Sequence, residues 1–227
     1  MNSWRPHDDA MSERQTKAVK QMAAGLCVLD LGSGDGRVAA MASTESKQWV
    51  GVDHDPVAVQ AFQARVPDAT CRSGDLRMPP TAEHEQFDLV VCLGNTFCLL
   101  WDVDEAVEAL LNWRGLLAEG GCVVLDDLAA DLWPELTSGR WSIGMDDEAS
   151  LQMVWSEDDA VFALRAGSQI NPTQWHLGSE DVRMRLWTSG ALSLAARLAG
   201  YMSPERRPDE GLMILRPVPS AGANTRA

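Results

Sequence analysis

Val28-Leu-Asp-Leu-Gly-Ser-Gly-Asp-Gly-Arg37 is the stretch on which the fold turns. Residues 26–31 are apolar apart from Asp30, as expected of a strand buried on both faces. Glycines follow at 32, 34 and 36, where such a strand must turn sharply into a helix expected over 37–43. Without Cβ atoms the chain can lie close to a ligand, and exposed N–H groups at a helix start favour an anion. The bare implication is a nucleotide-like ligand crossing the end of the strand. A dinucleotide fingerprint places glycine at the first, third and sixth positions, and here the sixth is Arg37.

Upstream, Ser12 and Gln15 read as a capping box ahead of an apolar stripe at Ala18, Val19, Met22 and Ala23. Downstream, residues 49–52 read as a second strand closed by Asp53. Asp55 as N-cap and Pro56 at the first helical position then open a helix with Val59, Phe62 and Val66 on one side. Strands are expected at 69–72, 87–93 and 122–125. A helix between the last two carries Val103, Ala106, Val107, Leu110 and Leu111 at helical spacing and is expected to end at Gly120-Gly121. Strands alternating with helices at short spacing imply a parallel sheet with right-handed crossovers. The second half departs from that rhythm. Residues 151–155 and 160–165 read as a hairpin around Glu157-Asp158-Asp159, with a third strand at 181–187, a helix at 190–199 and a last strand at 212–216.

Length and composition agree with one domain. The 227 residues are 45% hydrophobic and 23% charged, within the usual range for a globular chain. No apolar run approaches the roughly 18 residues of a membrane span, and residues 1–20 lack the apolar centre of a signal peptide, so a cytoplasmic chain is expected. The net charge of −14 disfavours a partner made of phosphates and suits a neutral or cationic small molecule. Cys27, Cys71, Cys92, Cys98 and Cys122 form no close pair and no zinc spacing, so neither disulfide nor metal is expected. Oligomeric state is not legible.

Asp30-x-Gly32-x-Gly34-x-Gly36 resembles the first motif of class I S-adenosylmethionine-dependent methyltransferases. In that family the loop curves around the methionine part of the cofactor. The resemblance implies that Asp53 accepts hydrogen bonds from the ribose hydroxyls, a role shared with NAD enzymes, and that His54 borders the adenine. It places Asp75 on the adenine amine and Leu76 against the ring. Leu93-Gly94-Asn95-Thr96 is similar to the Gly-Asn-Ser/Thr loop of small-molecule N-methyltransferases of the glycine N-methyltransferase kind, and faces the transferable methyl group. The Asn/Asp-Pro-Pro-aromatic sequence of enzymes that methylate amino groups of bases or of protein glutamine is absent. Residues 118–125 and 186–201 resemble the family's fifth-strand approach and its late helix and turn, so the likeness runs from about 25 to 216.

The expectation is an α/β, Rossmann-like, doubly wound and mostly parallel sheet, with an antiparallel last strand and a β-rich insertion after the fifth strand. Residues 1–24 would be a helical cap, about 128–186 a substrate-covering insertion, and 217–227 a flexible tail. S-adenosylmethionine would be the cofactor and S-adenosylhomocysteine the product. The acceptor would be a small molecule, methylated at nitrogen or oxygen. Because the sulfonium methyl is already activated, no indispensable base stands out; Asp126, Asp127 and His176 are candidates for orienting the acceptor or taking a proton. Trp133, Trp141, Trp155, Trp175 and Trp187 provide either an aromatic pocket for an amine or the insertion's own core. A nicotinamide-dependent oxidoreductase, an RNA or protein methyltransferase and a non-catalytic cofactor-binding module are the competing readings.

Overall fold

A computed structural model describes residues 9–139, 141–146 and 148–219. The first eight residues of the expected cap and residues 220–227 of the expected tail lie outside the described residues. Five strands alternate with helices along the first half: β1 (Cys27–Leu31), β2 (Gln48–Asp53), β3 (Thr70–Ser73), β4 (Phe87–Cys92) and β5 (Leu117–Asp126). The helices of that half are α1 (Asp9–Ala23), α2 (Ala39–Ala42), α3 (Pro56–Arg65) and α4 (Val103–Gly115). After β5 come α5 (Leu128–Ser138), β6 (Leu151–Trp155), β7 (Val161–Ala166), β8 (Met184–Arg185), α6 (Ser189–Leu198), β9 (Glu205–Arg207) and β10 (Leu212–Leu215).

The main sheet has seven strands in the order β3-β2-β1-β4-β5-β10-β9. Pairings among β1 to β5 are parallel, and β10 runs antiparallel to both β5 and β9. Helices cover both faces. Ala18, Val19, Ala39 and Phe62 pack on one side against Val28, Leu89, Val91 and Val124, while α4 and α6 pack on the other against Leu29, Leu31, Val90 and Val123. The alternation of Val28 and Leu29 to opposite faces is why β1 had to be apolar throughout. The insertion sheet, β6-β7-β8, joins the second core through Met153 and Phe162. Among the described residues no helix is long and apolar enough to cross a membrane.

Four local expectations give way to tertiary structure. Ser12 and Gln15 form no capping box, because α1 already begins at Asp9. Instead Ser12 Oγ accepts from Arg37 Nη1 at 2.7 Å, and Gln15 Nε2 donates to the Gly211 carbonyl at 3.0 Å. Gly120-Gly121 does not end a helix either. Helix α4 stops at Gly115, and the two glycines lie inside β5, where the register against β4 shifts between Phe87 and Leu89. Gly120 takes a φ of 78°, and a Cβ on Gly121 would stand 3.0 Å from the carbonyl oxygens of Asp88 and Ala118, so this irregularity needs both glycines. The third insertion strand shrinks to Met184–Arg185. Finally, α5 and β9 are additional elements.

Candidate cofactor site

Parallel pairing puts the carboxyl ends of β1 to β4 on one edge of the sheet, where ligands of open α/β sheets bind. The glycine turn is tied to the end of β2. Gly32 N and Ser33 N both donate to the Val52 carbonyl, at 2.8 and 3.1 Å, and Gly34 N donates to Asp53 Oδ2 at 2.9 Å. Asp53 Oδ1 accepts from Asp55 N at 2.9 Å, so the carboxylate is fixed at both oxygens. Each oxygen still has a lone pair for a ligand hydroxyl. Asp55 in turn caps α3 by accepting from Val57 N. One local sequence, Asp53-His54-Asp55-Pro56, therefore ends a strand, orients a carboxylate and starts a helix.

A cavity of about 480 Å³ opens at this edge and is lined by Gly32, Asp53, His54, Asp75, Leu76 and Thr96, among others. That volume lies within the usual range of about 300–1,000 Å³ for small-molecule sites. All four strand-end loops contribute to it. Gly32 has φ 67°, and a Cβ there would meet Thr96 Cγ2 at 2.3 Å, so this glycine lets the first and fourth loops touch. Leu76 is held from behind, its carbonyl accepting from the buried Trp113 Nε1 at 2.7 Å. Asp75 is gripped by Arg77 at 2.6 Å, whose guanidinium also reaches Glu105 at 3.1 Å. Hydrogen bonds from Arg77 hold the Asp75 carboxyl below the usual carboxylate range. His54 stands exposed at the rim, its Nδ1 3.6 Å from Asp53 Oδ1.

Other expected site residues support the cavity without lining it. Gly34 and Gly36 shape the turn, and Gly36 leaves room for Phe62. Asp30 is buried beneath the turn, with Trp49 Nε1 donating to it at 3.3 Å, and desolvation raises its pKa to about 7. Leu93 is buried, and its carbonyl accepts from Thr96 Oγ1 at 2.7 Å. Asn95 is held in the left-handed region at φ 62°, with its N–H donating to Asp126 Oδ2 at 2.5 Å. It is only 4% exposed, yet among the described residues neither Oδ1 nor Nδ2 has a hydrogen-bond partner. A buried amide left with a donor and an acceptor to spare is costly unless a ligand completes it.

The structure brings neither Asp127 nor His176 to this cavity. Asp127 is buried against β9, ion-paired with Arg206 at 2.8 Å. His176 lines a second cavity of about 510 Å³ in the insertion, beside Glu157 and Trp155. The tryptophans divide: Trp141 and Trp187 belong to the core, Trp155 tilts against Phe162, and Trp133 and Trp175 are exposed. Sequence reasoning missed Arg77, Leu99, Leu100, Trp101 and Glu105, all of which line the first cavity. The apolar run that follows Asn95 is the sign that the sequence carries of Leu99, Leu100 and Trp101.

The comparisons agree with this geometry. Residues 28–121 match the model of a family described as a methyltransferase domain. The curated glycine/sarcosine N-methyltransferase of Parasynechococcus marenigrum (strain WH8102) is 29% identical over 127 residues, which cover 54% of this chain and 45% of that protein. The match thus spans less than half of that relative's length. The solved CcbJ methyltransferase from Streptomyces caelestis superposes with a TM-score of 0.63 at 17% identity, covering 93% of this chain and 97% of that one. The S-adenosylmethionine-bound amino pentose methyltransferase CalS10 from Micromonospora echinaspora gives 0.58 at 18% identity, covering 91% and 89%.

The fold, with strand-end loops gathered at one edge of its sheet, defines the Rossmann-like class of α/β proteins. Within that class, residues 28–121 are similar to a methyltransferase domain, and the chain shares its fold with solved methyltransferases.

Proposed function

We propose that this chain transfers the methyl group of S-adenosylmethionine to nitrogen or oxygen of a neutral or cationic small molecule. The observation that carries the reading is the convergence of four strand-end loops on the 480 Å³ cavity. In this reading Asp53 accepts from the ribose hydroxyls, Asp75 and Leu76 meet the adenine with His54 at its rim, and Gly32 lets the ligand lie on the turn. Asp30, Gly34 and Gly36 shape the turn around the methionine part, and Leu93 and Asn95 bound the methyl-transfer region, where the unpartnered amide of Asn95 is available to a ligand. The bound cofactor supplies an activated methyl group. The protein's part is to position the acceptor and exclude water, and a dedicated base is not required.

Residues of about 128–186 cover the acceptor. In support, β8 packs on the turn Thr96–Leu99 that follows Asn95. The acidic balance of −14 favours neutral or cationic acceptors over anionic ones. The named activities of the relatives, on glycine or sarcosine and on an amino pentose, point to amine-bearing acceptors.

Calorimetry with S-adenosylhomocysteine, followed by a screen of amines, acids and phenols for release of that product, tests the reading. Wild-type protein should bind S-adenosylhomocysteine, and Asp53→Ala should weaken binding by about 1–3 kcal/mol, the usual cost of leaving polar partners unsatisfied. Unchanged affinity in the variant would show that the ribose assignment is wrong.

A further inference from the structure

Trp101 lies between the two cavities and lines both. It directly precedes Asp102, whose side chain caps α4 by accepting from the N–H groups of Asp104 and Glu105. That cap fixes the chain on one side of Trp101. On the other side the restraint comes from the insertion. Arg185 Nε donates to the Trp101 carbonyl at 2.6 Å. Its Nη1 donates to Asp159 Oδ1 at 2.9 Å, and its Nη2 is ion-paired with the other carboxylate oxygen. The guanidinium also lies 5.5 Å from the centre of the Trp187 ring. The Trp101 ring in turn carries the Arg183 guanidinium at 4.9 Å.

Arg185 is 9% exposed, and each direction of its planar fork is in use. One edge reads a main-chain oxygen in the cofactor-cavity wall, and the other reads a carboxylate on the β6–β7 turn. A lysine, which presents a single point charge, spans only one of these. The wall of the first cavity is therefore tied to a hairpin that lies outside the main sheet.

On the reading of the first cavity as the cofactor site, we propose that Arg185 is a positioning residue which, through Trp101, makes cofactor affinity depend on the placement of the inserted sheet. Asp159 completes the tie from the hairpin side. Arg185 does not touch the cavity itself, and it acts by holding the wall where the nucleoside contacts it.

The experiment is calorimetry with S-adenosylhomocysteine on wild type, Arg185→Met, Arg185→Lys, Asp159→Asn and the Arg185→Met/Asp159→Asn pair, alongside each variant's Tm. Arg185→Met should weaken affinity about 10-fold, with Arg185→Lys and Asp159→Asn nearer about 3-fold, the size of effect expected when a residue acts on a site through another. The pair should lose no more than Arg185→Met alone, because both changes cut one linkage. A side chain serving only stability would lower Tm and leave affinity at 25 °C unchanged, and that result overturns the proposal. Should Arg185→Met not fold, Asp159→Asn decides, since Asp159 is half-exposed and Arg185 stays in place. In that case affinity equal to wild type in Asp159→Asn overturns the proposal. Wild-type protein that fails to bind S-adenosylhomocysteine overturns the cofactor reading itself, and the proposal with it.

Discussion

Trp113→Ala is expected to lower the stability of the fold by about 3–5 kcal/mol, the range for removing a large aromatic ring from a packed interior. Trp113 is fully buried in α4, within the core beneath β4 and β5. Its ring meets Phe97 edge-on, with centroids 5.9 Å apart, and Phe97 packs in turn on Trp187 at 5.2 Å. The cavity left by truncation would thus open where the main sheet, the turn after β4 and the insertion meet. The effect should reach the site as well, because the indole N–H holds the Leu76 carbonyl at 2.7 Å. Trp113→Phe separates the two contributions. It keeps most of the apolar surface and should cost about 1–3 kcal/mol for the unsatisfied carbonyl, together with some loss of S-adenosylhomocysteine affinity at Leu76. Urea unfolding of the three proteins provides the measurement. A loss below about 1 kcal/mol for the alanine variant would contradict this packing.

Features carried by local chemistry are legible in the sequence. The apolar run into three alternate glycines locates β1 and its turn, and Asp55-Pro56 locates the start of α3 within a residue. The turn residues Glu157-Asp158-Asp159 locate the β6–β7 hairpin. What stays hidden depends on distant partners or on broken rules. Pro134 sits inside α5 and argues locally against a helix there, although an interior proline only weakens a helix that packing supports. Glu205-Arg206-Arg207 lacks the apolar alternation of a strand because it forms the sheet's edge, where charge discourages further pairing. Gln15 bonds to a carbonyl 196 residues away, so no local window could reveal that it serves as a tertiary contact. The site follows the same division. Gly32, Asp53 and Asp75 stand at strand ends that the hydrophobic pattern locates, whereas Trp101 and Glu105 line the cavity from the chain around the start of α4, away from the end of any strand.

Asp30→Asn is expected to stabilise the protein at pH 8 by about 2–4 kcal/mol and to leave it unchanged near pH 4, a pH-dependent gain that follows from linkage. Burial raises the Asp30 pKa to about 7; Asp53 adds to that effect, while the Trp49 N–H and the charge of Arg37 oppose it. Below about pH 4 the carboxyl is protonated in the folded and the unfolded chain alike. Between about pH 4 and the folded value of about 7, the folded chain keeps a proton that the unfolded chain has released, so stability falls as pH rises through this window. Asparagine cannot ionise, retains an oxygen for Trp49 Nε1, and removes the decline. The difference in Tm between variant and wild type should therefore grow from near zero at pH 4 to several degrees above pH 7. A difference independent of pH would mean that the Asp30 pKa is the same in the folded and the unfolded chain, and so is not raised by burial. A buried carboxylate that costs stability near neutral pH, in a turn proposed to bind the cationic methionine part of the cofactor, calls for a compensating role there. Asp30→Asn should accordingly bind S-adenosylmethionine, which carries the sulfonium charge, more weakly than wild type at pH 8, although it is the more stable protein.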